Sequence, residues 1–336
     1  MARRRAGLPW GVTLQRAFGA VARAHLRLAG KAATRAAQAA LESAAERRAP
    51  PRGVGDWIAG VAMAPGGMRH FQLYRPPGVK PSDRRPLMVM LHGCHQDAKS
   101  FALSTRMNTL AAREGFFVLY PEQDRRANPQ GCWNWYETHS GLAHVEVGIL
   151  MAAVQQVCLL YPVDADRVAV AGLSAGASMA ALLATRHPKR FKAVAMHSGV
   201  PPGVATSSTS ALGAMQGRHA SPLPEGDGTW PPLIVIHGGA DAVVSARNAE
   251  TSVRLWAEAA GARAMPSRQV QRGQRHAMTI TDYKRAGRTV ASLYEVGSLG
   301  HAWSGGAAKR PFSDANGPDA SRLVWAFASR QFEQLE

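Results

Sequence analysis

The chain has 336 residues, 46% hydrophobic and 19% charged, room for one large domain with an appendage. Three cysteines cannot make a fully paired disulfide scaffold, and 33 glycines with 21 prolines exclude collagen-like or largely disordered readings. The net charge of +17 is uneven, because residues 1–50 set ten Lys and Arg against only Glu42 and Glu46, placing +8 in under a sixth of the chain.

Residues 1–54 read as a basic, Ala- and Arg-rich helical extension. Leu14, Phe18, Val21 and Leu28 share one helical face. That face suits a helix packed on the body, or an amphipathic anchor for an anionic or apolar surface. Arg3, Arg4 and Arg5 would start a secretory signal, but Arg16, Arg23 and Arg27 interrupt its apolar segment. An Arg-rich, acid-poor start also resembles an organelle-targeting peptide. A cytoplasmic, uncleaved protein is expected, with secretion as the alternative. No run of about 18 uninterrupted apolar residues occurs, so no transmembrane segment is expected.

Residues 55–336 form the second expected domain. Strands are predicted at Phe71–Tyr74, Leu87–Leu91, Phe116–Tyr120, Arg167–Ala171, Ala193–His197, Leu233–His237 and Ala291–Val296. Helices are predicted between them at Met107–Glu114, Val145–Tyr161, Ala175–His187 and Ala246–Ala260. Strands apolar almost throughout, alternating with helices, imply an α/β class with a mostly parallel sheet covered on both faces. Residues 201–231, rich in Ser, Gly and Pro, read as a surface excursion.

Gly172-Leu173-Ser174-Ala175-Gly176 matches G-x-S-x-G between a buried strand and a helix. That setting puts Ser174 on a tight elbow with its hydroxyl presented, and predicts an α/β-hydrolase fold. A serine hydroxyl needs a base and an orienting acid, expected downstream in the order carboxylate then histidine. Asp241 follows the strand Leu233–His237, and His301 follows Ala291–Val296. Ser174, Asp241 and His301 are therefore the expected catalytic triad. Asp282 is the rival acid; His276, His237 and His92 fit the order or topology less well. The N–H of Ala175 should give one oxyanion donor, and that of Cys94 in His92-Gly93-Cys94-His95-Gln96 the second. The rival reading of His92-Gly93 is a plain turn. No zinc-like spacing and no phosphate-cradling loop appears, so neither a metal nor a cofactor is expected.

Leu91-His92-Gly93-Cys94-His95-Gln96, Tyr120-Pro121-Glu122-Gln123, Asn128 through Cys132-Trp133-Asn134-Trp135, the Ser174 motif, Asp241-Ala242-Val243-Val244 and Gly300-His301-Ala302-Trp303-Ser304-Gly305-Gly306 follow in order. Together they resemble the catalytic domain of polyhydroxybutyrate depolymerases and related feruloyl and acetylxylan esterases, over about residues 55–330. The resemblance implies a serine esterase acting on a hydroxyalkanoate polymer or oligomer, with a feruloyl, acetylxylan or general short-chain esterase as the alternative. One departure is Ala177, where the family's motif usually continues with glycine. The resemblance suggests that Cys94 and Cys132 pair, whereas their own chemistry fits buried thiols of a reducing compartment equally. Trp133, Trp135 and Trp303 are candidates for an aromatic wall along the substrate, or else core fillers. Trp303, two residues past the base, is the first candidate to touch substrate.

Two other classes compete. One is a catalytically silent binding protein on the same fold, which an intact triad opposes. The other is nucleic-acid binding through the basic start and Arg268, Arg272, Arg275, Lys284, Arg285 and Arg288, but no recognition motif accompanies that charge, so no specific nucleic-acid partner is expected. The expected partner is an ester substrate, with polymer or granule surface bound through residues 1–50.

Overall fold

A computed structural model describes residues 51, 53–218 and 230–334. The extension expected at residues 1–54 lies almost wholly outside the described residues. The first two strands form an antiparallel hairpin, β1 (Asp56–Ala64) and β2 (Gly67–Arg75). After β3 (Arg85–Leu91) come α1 (Ala98–Thr105), α2 (Met107–Glu114) and β4 (Phe117–Pro121). Then follow α3 (Leu142–Leu160), β5 (Val163–Leu173), α4 (Ala175–Arg186) and β6 (Ala193–His197). Next are α5 (Ser208–Met215), β7 (Leu233–Gly238) and α6 (Arg247–Ala260). The last part holds β8 (Arg263–Ala264), β9 (Arg268–Val270), β10 (Met278–Arg285), β11 (Arg288–Val296), β12 (Trp303–Ser304), β13 (Ser313–Asp314) and α7 (Ala320–Glu333).

One large sheet runs in the order β1-β2-β4-β3-β5-β6-β7-β11-β10-β8, with β9 also on β10. From β4 to β11 every neighbour is parallel, and the hairpins at both margins are antiparallel. Alternation along β3 shows how both faces are covered. Leu87, Val89 and Leu91 join the core under α3, α4 and α6, while Met88 and Met90 join the core with α1, α2 and α7. All five of these side chains are fully buried, so no polar alternation marks the strand. Helix α3 is long and apolar enough to cross a membrane by length and composition, but half of it is buried within the protein. Its Glu146 is fully enclosed in a hydrogen-bond network, the mark of a core helix.

All seven predicted strands and all four predicted helices are present, with ends shifted by a few residues. Within the excursion 201–231 lies a short helix that was not predicted, Ser208–Met215, opened by a Ser207–Ser210 capping box. Residues 219–229 of that stretch lie outside the described residues. Strands β1 and β10 were not predicted, because they sit at the margins and alternate buried with open positions.

Candidate active site

Parallel order brings the carboxyl ends of β5, β7 and β11 to one rim, where loops of an open α/β sheet converge. At the end of β5, Ser174 adopts φ 56° and ψ −122°, a backbone conformation unfavourable for a side-chain-bearing residue. The surroundings enforce it. Ser174 N–H donates to His197 O at 2.8 Å, and Ser174 O accepts from Ala177 N–H and Ser178 N–H at 2.9 and 3.1 Å. The flanking glycines are obligatory: a Cβ on Gly172 would lie 2.2 Å from Gly176 O, and one on Gly176 2.1 Å from Leu91 O.

The loops after β7 and β11 bring Asp241 and His301, the expected acid and base, together. His301 Nδ1–H donates to Asp241 Oδ2 at 2.8 Å, which leaves Nε2 as the basic nitrogen. Asp241 Oδ1 accepts from Val243 N–H and Val244 N–H, both at 2.9 Å. Burial alone would raise this carboxyl, but the bonds from His301 and from the two backbone N–H groups outweigh it and bring the pKa down to about 2. The Asp241 side chain has no solvent exposure, while that of His301 keeps 12%. The carboxylate is shielded and the imidazole is reachable.

Two further histidines frame this pair. His237 lies behind Asp241, donating through Nε2 to Val244 O at 2.9 Å, with Nε2 3.6 Å from Asp241 Oδ2. Its buried Nδ1 has no partner among the described residues, and burial lowers its pKa. His197 joins two site loops: its carbonyl takes the Ser174 N–H, and its Nε2 accepts from Ser304 N–H at 3.1 Å. Burial foremost, then the neighbouring His237 and His301, lowers its pKa to about 3. Sequence order offered no signal for either role, since both residues simply end strands.

The loop His92–Gln96, expected to hold the oxyanion, passes beside Ser174, and a Cβ on Gly93 would lie 3.6 Å from Ser174 Cβ. His92 is buried and braces it. Gln123 N–H donates to His92 Nε2 at 3.1 Å, so Nδ1 carries the proton and donates to Gly93 O at 2.8 Å. Gln96 N–H also reaches Gly93 O, at 3.3 Å. With the Gly93 carbonyl held on one side, the trans peptide turns Cys94 N–H to the other. Neither Cys94 N–H nor Ala175 N–H meets an acceptor among the described residues, and Ala175 opens α4, where N–H groups are free by construction.

Cys94 and Cys132 form a disulfide across 38 residues, which ties the His92–Gln96 loop to the Cys132–Trp135 segment. His95 N–H to Gln130 O at 2.8 Å and Trp133 Nε1–H to His92 O at 3.0 Å add to that joint. Beneath it, Glu146 accepts from Arg69, Gln123 and Asn134 at 2.6–3.0 Å. This buried network binds the two resemblance segments around Gln123 and Asn134 to α3 and β2.

The aromatic wall expected of Trp133, Trp135 and Trp303 is corrected. Trp133 and Trp303 are 0% and 1% exposed, and Trp135 is 7% exposed. Trp303 packs on His197 and edge-on against Phe101, with its Nε1–H on Ser321 Oγ at 3.1 Å. Trp133 and Trp303, fully buried with their indole N–H groups bonded to His92 O and Ser321 Oγ, leave no face for substrate, and Trp135 is buried as well. The rival acid Asp282 is engaged by Ser292 Oγ and Arg268, both at 2.7 Å, and His276 faces Asp314 at 3.1 Å.

Residues 69–269, more than half of the chain, match the family described as esterase PHB depolymerase. A poly(3-hydroxyalkanoate) depolymerase C of Paucimonas lemoignei is 30% identical over 211 residues, covering 59% of this chain and 50% of that protein. The chain thus spans half the length of that relative. Feruloyl esterase B of Neurospora crassa is 28% identical over 211 residues, covering 57% of this chain and 71% of that protein. Among solved structures, an acetyl xylan esterase from Aspergillus awamori superposes with a TM-score of 0.59 at 20% identity, covering 74% of this chain and 94% of the other. That likeness is one of fold, the α/β-hydrolase fold.

Proposed function

The chain belongs to the esterase PHB depolymerase family, and on that premise we propose that it hydrolyses carboxylic esters through a covalent acyl-serine. Ser174 Oγ attacks the ester carbonyl while its proton passes to His301 Nε2. Asp241 holds the imidazole by Nδ1 and stabilises its charged form. The carbonyl oxygen, now an oxyanion, meets the N–H groups of Cys94 and Ala175. Collapse breaks the bond to the alcohol, which takes the proton from His301, and the acyl group stays on Ser174. Water then attacks that ester with His301 as base, and the acid leaves as Ser174 regains its proton.

The observation that carries this reading is the 2.8 Å bond from His301 to a fully shielded Asp241, on the same rim as the strained Ser174. The test is a fluorophosphonate probe with release of a nitrophenyl ester followed in the burst phase. The wild type should label at Ser174 and show a burst, and Ser174→Ala should do neither. Labelling that persists in Ser174→Ala would place the reactive serine elsewhere, and a wild type that fails to label would leave a scaffold protein as the reading.

The substrate favoured is a 3-hydroxyalkanoate polyester or its oligomers, after the name of the depolymerase relative. The fuller coverage of the feruloyl esterase favours a second reading, an ester-decorated polysaccharide. Release of acid from hydroxybutyrate oligomers, granules, feruloyl esters and acetylated xylan, run side by side, separates the two. The Cys94–Cys132 bridge supports an oxidising, extracytoplasmic location over the cytoplasmic one expected from sequence, since reducing compartments keep thiols free.

A further inference from the structure

The basic cluster of the sequence divides in space. Arg268 is held by Asp282, and Arg285 donates to Ala260 O. Arg272 and Arg275, however, line a cavity of about 370 Å³ together with Arg106, Arg113 and Arg322. Two carboxylates temper this charge: Glu114 meets Arg113 at 2.8 Å, and Asp319 lies 3.5 Å from Arg322. Arg106, Arg272 and Arg275 have no carboxylate partner among the described residues. Arg106 and Arg275 instead donate to neutral carbonyls, Gly305 O at 2.7 Å and Gly317 O at 2.5 Å. A neutral acceptor leaves a guanidinium charge uncompensated. Leu110, Val270 and Leu323 supply apolar lining, and the volume falls within the range of small-molecule sites.

A second, independent feature converges here. Arg106 joins α1 to α2 in the left-handed conformation, φ 56° and ψ 24°, where a residue without a Cβ would sit at less cost. Strain kept at a residue that also lines a charged cavity points to use rather than accident. Its guanidinium bonds Gly305, four residues past His301, and thereby touches the segment that carries the proposed base.

We propose that this cavity binds a small organic polyanion bearing phosphate or carboxylate groups, and that the bound anion fixes Arg106 on Gly305 and so stiffens the His301 loop. Three guanidinium groups with no carboxylate partner among the described residues match two or three negative charges. The apolar lining accommodates a short hydrocarbon body. The site does not depend on the ester reading, because nothing in it touches Ser174.

The test uses the full chain with pyrophosphate and citrate as probes, by calorimetry and thermal shift, against sodium chloride at equal ionic strength. The expected result is saturable binding with a rise in Tm beyond the chloride control; the stronger probe tells phosphate from carboxylate recognition. Arg272→Glu should weaken it by at least about tenfold, the loss of one charge-assisted contact. Arg288→Glu, an exposed arginine elsewhere, should not. Arg272→Ala guards against harm from the reversed charge, and an unchanged far-ultraviolet circular dichroism spectrum confirms the fold. Equal binding in wild type and both Arg272 variants, or a Tm shift that chloride reproduces, would overturn the proposal.

Discussion

The two oxygens of Asp241 have separate tasks, and both depend on ionisation. Oδ1 takes two backbone N–H groups and Oδ2 orients His301. Its pKa, depressed from 3.8 to about 2, means that the carboxylate contributes stability above about pH 4 and loses it as pH falls toward 2. An acid limb in kcat/KM above about pH 4 must then report another group. Asp241→Asn should retain substrate binding and lower kcat by about 10⁴-fold, because an amide cannot impose the same tautomer. A loss under about tenfold would remove Asp241 from the triad. His92 acts one step back, by aiming a peptide rather than by touching substrate. His92→Ala frees the Gly93 carbonyl and should lower kcat by about 10- to 100-fold with KM little changed, less than the loss of an oxyanion donor itself. A rise in KM alone would mean that His92 merely supports the fold.

At the scale of elements, the loop proposed to hold the oxyanion is secured to the body by a covalent link and by the Glu146 network. A bridge closing 38 residues is worth about 4 kcal/mol in chain entropy, so reduction by dithiothreitol should lower Tm by several degrees. Cys94→Ala keeps the backbone N–H, so burst acylation should survive at a reduced rate. Loss of Tm without any change in rate would separate the bridge from the oxyanion function. The elements legible in the sequence share one physical property. Strands such as Leu87–Leu91 and Leu233–His237 are buried on both faces and read as unbroken apolar runs. The hairpin strand Asp56–Ala64 leaves Asp56, Ala59 and Met63 open to solvent, which dilutes the pattern. The short helix Ser208–Met215 was hidden by its serine-rich composition, although those serines are its cap. Ser174, Asp241 and His301, proposed as the triad, were legible as candidates because motif and order constrain them. The bracing by His92, His197 and Glu146 was not, since their partners lie 31, 107 and 77 residues away. The tryptophans misled for a related reason: sequence places them beside site residues, but only packing decides whether an indole faces a cleft or fills a core.

Over the whole molecule, charge and catalysis are divided along the chain. The residues proposed for ester cleavage all lie between Cys94 and His301, while +8 of the net +17 belongs to residues 1–50. A polyester granule is an insoluble surface, and a basic amphipathic segment gains there both from buried apolar area and from attraction to surface anions. Turnover of a small soluble ester needs neither. Deletion of residues 1–50 should therefore abolish sedimentation with native hydroxybutyrate granules and leave kcat on a soluble nitrophenyl ester within about twofold. The electrostatic share shows in the full chain as weaker granule binding when ionic strength rises past the physiological range, where screening shortens to about 8 Å or less. Equal sedimentation of the full and shortened chains at low salt would place granule recognition on the hydrolase body, and the basic excess of residues 1–50 would then have no part in it.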